Sequence, residues 1–187
     1  MMTDKHTYPE LVGTPSDQAP AILATGRSDI TTLFVSFSER HPEGADAEYL
    51  RWHSLDHRPE QHRLASIRAS LRLVSTPACR AARAASAPEF DTTDHLMTYF
   101  FTGTQGLEEF TDLSDALRDA GRCPFILKPV TRGVFAVNNR IAAPHAKAGA
   151  DVLPWRPVTG AYVLVERGQV SADELTAVPG VAGIWSA

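Results

Sequence analysis

The chain has 187 residues, 43% of them hydrophobic and 21% charged, with a formal charge of -4. A chain of this length buries roughly 70% of its unfolded surface, enough for one sizeable domain or two small ones. The composition excludes a basic nucleic-acid footprint, a membrane span of roughly 20 apolar residues and a signal peptide at the amino terminus, which points to a cytoplasmic protein with neither nucleic acid nor membrane as partner.

Residues 1–29 carry three prolines and one short apolar patch at Ile22-Leu23, and are expected to form an N-terminal arm. A first strand begins at Thr31, with Leu33, Val35 and Phe37 on one face and Phe34, Ser36 and Ser38 on the other. A helix is predicted from Ala45 toward His57, broken or kinked by Pro59, with a short second segment to Leu64. The second strand alternates most cleanly. Ile67, Ala69, Leu71 and Leu73 make a core face, and Arg68, Ser70 and Arg72 make a polar one.

Residues 76–91, rich in Ala, Pro, Ser and Arg, read as a long loop with one helical turn at Ala78 to Ala85, suited to a lid or an oligomer contact. A third strand follows at His95 to Thr102. Leu107, Phe110, Leu113 and Leu117 then mark an amphipathic helix that Gly121 should stop. A fourth strand is expected from Gly133 to Ile141. Residues 144–159 read as loop, Ala161 to Arg167 as a strand, Ser171-x-x-Glu174 as the capping box of a short helix, and Val181 to Trp185 as a last strand. Residues 144–187 would thus form a C-terminal βαβ-like extension, packed on the same domain or forming a partial second repeat.

The order β-α-β-β-α-β over residues 30–143 predicts an α+β, ferredoxin-like fold: a four-stranded antiparallel sheet with both helices on one face. The other face needs cover. A homodimer through that open sheet face, enclosing a partly polar cavity in a dimeric α/β barrel, is the simplest solution.

Tyr49, His53 and His57 are four residues apart and share a helix face. His57 is the foremost candidate for a catalytic acid or base, with His53 beside it, because an imidazole exchanges protons near neutral pH. The plain alternative is a helix-end histidine bonded to a carbonyl or to Glu60. Trp52 serves as core packing or as a ligand platform. Arg68 and Arg72, on the polar face of the second strand, would point into the barrel or at the dimer partner and suit a carboxylate or phenolate; salt bridges to the partner are the alternative. Asn138 and Arg140 on the fourth strand invite the same two readings. No metal is expected, because His53 and His57 lack the glutamate of His-Glu-x-x-His and a third ligand would have to come from His62 or His95. No Gly-rich phosphate loop joins a strand to a helix, so no organic cofactor is expected either. Cys79 and Cys123 read as reduced structural thiols.

The helix bearing Tyr49, Trp52, His53 and His57, followed at once by Pro59 and then by the alternating strand Ile67 to Val74, resembles the EthD-like proteins of the dimeric α/β-barrel superfamily. Trp52, His57 and Pro59 carry the resemblance, which spans residues 31–141 in pattern. It implies a cleft between sheet and helices near Trp52 and His57, and a protein that binds or transforms a small apolar or aromatic metabolite by cofactor-independent proton transfer. Tyr49, Trp52, Arg68, Arg72 and Asn138 are the candidate substrate contacts. A haem-degrading member would need Asn, Trp and His in an order that this chain does not supply. The alternative to an enzyme is a non-catalytic ligand-binding or structural oligomeric protein.

Overall fold

Alternating threonine, aliphatic and aromatic residues at Thr32–Ser38 form β1, an inner strand of a four-stranded antiparallel sheet in the computed structural model, which describes residues 12–15, 28–166 and 172–187. β2 (Ile67–Val74), β3 (His95–Phe101) and β4 (Pro129–Ala136) complete it in the order β2-β3-β1-β4. Every neighbouring pair is antiparallel. With helical segments after β1 and after β3, this α+β order is compatible with the ferredoxin-like fold expected from the sequence. The expected N-terminal arm lies almost wholly outside the described residues.

The chain divides into two units. The larger takes Asp29–Val137 and Pro157–Val163 and holds the sheet. Its core lies between the sheet and the helix α4 (Gly106–Asp119). Phe110 of α4 sits with ring centroids 5.6 Å from Phe34, 4.9 Å from Tyr99 and 5.6 Å from Phe101, and Leu64, Ile67, Met97 and Leu107 fill in around it. Gly121 ends the helix as its sequence position predicts: it takes φ 71°, and the Arg122 amide donates back to the Leu117 carbonyl at 2.9 Å. At the other end a Cβ on Gly106 would stand 2.5 Å from the Ser66 side chain, so only glycine lets α4 begin this close to the start of β2.

Two expectations about the path between β1 and β2 need correction. Of the break or kink expected at Pro59, there is no break, and the irregularity lies just before the proline, with a short second segment after it as expected. α1 (Asp46–Trp52), a π-helical turn (His53–His57) and α2 (Arg58–Gln61) follow one another without interruption, the Arg58 amide donating to the His53 carbonyl. A proline inside a helix lacks an N–H and crowds the carbonyl four residues back, here that of Leu55, and the widened turn just before Pro59 relieves both. β2 also departs from strict alternation. Ile67 pairs with Phe101 and Ala69 with Phe100, so Arg68 is an extra residue in a bulge. One residue of slip exchanges the faces of everything after it. Ser70 and Arg72 therefore join Tyr99 and Met97 under the helices, while Ala69, Leu71 and Leu73 join Leu96, Thr98 and Phe100 on the opposite face.

That opposite face also receives Leu33, Val35 and Phe37 from β1. The segment 76–91 reaches it: after the turn α3 (Pro77–Ala81), Phe90 packs edge-on against Phe37 at 5.5 Å. Both cysteines are free, and Cys79 is exposed.

The smaller unit takes Asn138–Arg156 and Leu164–Ser186, with the described residues up to Ser28. Its two-stranded antiparallel sheet joins β5 (Asn139–Ala142) to β6 (Gly183–Ser186). The single strand expected from Gly133 to Ile141 is thus two strands in two sheets, parted at Val137–Asn138. The expected strand from Ala161 is irregular over the described residues 161–166, so the described residues beyond 144 hold a short helix α5 (Ala172–Thr176) and β6 but no βαβ unit. Ser171 of the expected capping box lies outside the described residues.

Candidate functional site

The π-helical turn decides which side chains meet. In an α-helix, Trp52 and His57 would project about 140° apart. The wider turn brings them to one side, where their rings stack at 4.8 Å with planes 27° apart. Insertions of this kind concentrate at functional sites. His53 lies 5.6 Å from His57 and 5.8 Å from Tyr49, and Tyr49 packs against His95 of β3 at 5.5 Å. Beneath Tyr49, the Arg72 guanidinium lies 4.6 Å from the ring centre. Tyr49, Trp52, His53, His57 and Arg72 are therefore one cluster between helix and sheet.

The hydrogen bonds around His57 have a definite direction. Ser114 spends its proton on the Phe110 carbonyl at 2.7 Å, so its oxygen accepts from Gln61 Nε2 at 3.5 Å. Tyr99 donates to Gln61 Oε1. Gln61 Nε2 then donates to His57 Nε2 at 3.0 Å, which leaves the His57 proton on Nδ1, and that atom is buried without a partner. Burial lowers the His57 pKa, with Asp56 opposing and Arg122 reinforcing. At neutral pH His57 is thus a neutral imidazole offering an N–H. Glu60, the alternative partner considered for His57, instead pairs with Arg63 at 2.8 Å and Arg122 at 2.9 Å.

His95 is a member of the site that sequence reasoning weighed only as a distant metal ligand. It is 2% exposed, and its Nε2 donates to Asp46 Oδ1 at 2.7 Å, an oxygen that also accepts from the His41 amide at 2.8 Å. Burial lowers its pKa against the pull of Asp46. Burial likewise works to raise the Asp46 carboxyl, but the His41 amide and His95 more than offset it, and Asp46 stays ionised. A carboxylate that takes Nε2–H leaves the lone pair on Nδ1, which is buried and unpartnered. This is the geometry of an oriented base. The sequence carries no signal for it, because only the pairing of β3 with β1 brings His95 toward the start of α1.

His53 is 5% exposed, and burial, with Arg72 and His57 adding to it, holds its pKa down to about 3. Its Nδ1 also lacks a partner. Arg72 has its Nε and Nη2 buried and unpaired, and its pKa is lowered by burial against the stabilising effect of Tyr49. Tyr49 and Tyr99 are both raised by burial. The cluster thus contains one half-buried cation among neutral rings.

The remaining candidates lie elsewhere. Arg68, the bulge residue, holds Asp29 with two hydrogen bonds at 2.9 and 2.7 Å and also donates to the Ala65 carbonyl at 2.6 Å, at the surface. Neither Arg68 nor Arg72 points as strict alternation predicted, because the bulge turns the first outward and the second under the helix. Asn138 belongs to the smaller unit, where its amide donates to the Ser186 carbonyl at 2.8 Å; Arg140 there pairs with Asp151 at 2.5 Å and lies 4.7 Å from the Trp185 ring centre. The cluster is built wholly within the larger unit.

Among the described residues, a shallow groove of about 330 Å³ in the larger unit is lined by Glu39, Arg40, Arg80, Asp91, Thr92 and Asp94, away from the histidines. No group of three or more His, Cys, Asp and Glu side chains among them could hold a metal ion, and no helix among them is long and apolar enough to cross a membrane. Comparison of the chain with protein-family models, with curated proteins and with solved structures finds no match.

Proposed function

We propose that the larger unit binds a small apolar or aromatic metabolite beside the Tyr49–His57 helix and moves a proton on it without metal or organic cofactor. The observation that supports this reading is the set of buried, unpartnered ring nitrogens on His53, His57 and His95 around one π-helical turn. A fold normally pairs such atoms, and groups left open in this way are candidates for a ligand or for catalysis. His57 offers an N–H and His95, held by Asp46, offers a lone pair, so one can donate the proton that the other accepts. The resemblance to EthD-like proteins fits this reading through Trp52, His57 and Pro59 alone. We place the homodimer contact on the sheet face that carries Leu33, Val35, Phe37, Leu71 and Leu73, and the protein in the cytoplasm.

Native mass spectrometry of the protein isolated from its own cells tests the reading. A bound organic compound is expected, retained by the His57→Gln variant but no longer exchanging its proton there. Recovery of the bare chain, with His57→Gln behaving as wild type toward every aromatic compound offered, would contradict it. A second reading, a structural protein with a polar core, is favoured by one observation: the groove found in this unit does not open onto the cluster.

A further inference from the structure

Arg72 stands in the cluster without an anion. Its Nε and Nη2 are shielded from solvent and donate to no atom. None of the ion pairs found among the described residues includes it, and Asp46, the carboxylate of the cluster, is engaged by His95 and the His41 amide. Tyr49 engages it through a side-chain hydrogen bond as well as by charge, Tyr99 acts by charge and Arg58 as a like charge, but none of these is an anion that neutralises it. A guanidinium buried without a counter-ion is costly, and it is seldom kept unless something outside the chain completes it. The Nε–H and Nη2–H edge is the one that takes both oxygens of a carboxylate in parallel.

We propose that Arg72 is a carboxylate anchor, so that the molecule taken by this cluster is an apolar or aromatic carboxylic acid whose two oxygens accept from Nε–H and Nη2–H. This rests on the reading of the cluster as a ligand site and names the charged end of the ligand. The Tyr49 ring, whose centre lies 4.6 Å from the guanidinium carbon, holds the fork in place by a cation–π contact. The bulge at Arg68 is what delivers the arginine there, since without it β2 would turn position 72 to the opposite face.

Formate, acetate and benzoate, titrated as sodium salts against chloride at constant ionic strength, test the anchor on the full chain, with the thermal unfolding midpoint and the Arg72 Nε–H resonance as readouts. The carboxylates should raise the midpoint saturably beyond chloride and move the resonance downfield. Binding should weaken about tenfold or more in Arg72→Leu and by less in Arg72→Lys, which keeps the charge and loses the fork. Formate, the smallest carboxylate, needs the least opening to reach the shielded fork, and the wild-type resonance needs no variant to fold. If none of the three salts acts beyond chloride, or the shift survives in Arg72→Leu, the anchor is overturned. Recovery from cells of a neutral aromatic compound, with no preference for carboxylates, would overturn the anchor and leave the proposed function standing.

Discussion

The helix-facing side of the sheet has two ends built on opposite terms. Around Phe110, the side chains of Phe34, Ile67, Met97 and Phe101 are closed by packing alone, and Phe101 is fully buried. Around Tyr49, two buried imidazoles, His53 and His95, and two half-buried groups, His57 and Arg72, each keep at least one shielded nitrogen without a partner. Apolar contact is complete without help, whereas a buried donor or acceptor is complete only when something bonds to it. The first end holds the fold together, and the second is where we propose that a ligand completes the open groups.

The largest test of that contrast is Phe101→Ala, which should cost about 3–5 kcal/mol in denaturant unfolding because it empties a site with no room to collapse. Loss of less than half that amount would mean that the apolar end is not the mainstay. Acid comes next. The pKa values of His53, His57, His62 and His95 lie below 6.5 in the folded chain, with burial as the first cause in each, so the unfolded chain binds more protons beneath that value. Stability should therefore fall as pH drops from 6.5 toward 3, the region to which His53 is depressed, at about 1.4 kcal/mol per pH unit for each histidine that stays neutral. Asp46, held below 3.8, adds its loss only under that value. A stability curve flat between pH 6.5 and 4.5 would show that the imidazoles are not held neutral.

Gln61→Leu sharpens the comparison further. It severs the bonds from Tyr99 and to His57 and should cost about 1–3 kcal/mol, while the imidazole nitrogen resonances of His57 lose their bias toward the Nδ1–H tautomer. Unchanged resonances would mean that Gln61 does not set the tautomer. The smallest effect is expected at Arg68→Ala, below about 1 kcal/mol, because its pair with Asp29 is solvent-exposed. A larger loss would show that the bulge depends on that pair.

The first three strands, the amphipathic helix and the glycine that stops it follow from spacing, and the sequence is legible there because each position has one periodic role. Two local irregularities are not legible in that way. The π-helical turn before Pro59 looks like a helix break or kink in the sequence, and a uniform α-helical advance does not bring Trp52 and His57 to one side. The bulge at Arg68 looks like perfect alternation until the partner strand is known, since Ile67 and Ala69 each pair correctly with adjacent residues of β3. Both irregularities shape the candidate site. The Asp46–His95 pair is invisible for a related reason: its members lie on elements that only the antiparallel pairing of β1 with β3 brings together.

The most direct measurement is a high-resolution crystal structure of the protein isolated from its own cells at neutral pH, with no ligand added. Density for an organic molecule bonded to Arg72 or to the Nδ1 atoms of His57 and His95 is the predicted result. A cluster closed by its own side chains and ordered water, with those nitrogens satisfied from within, would contradict the account.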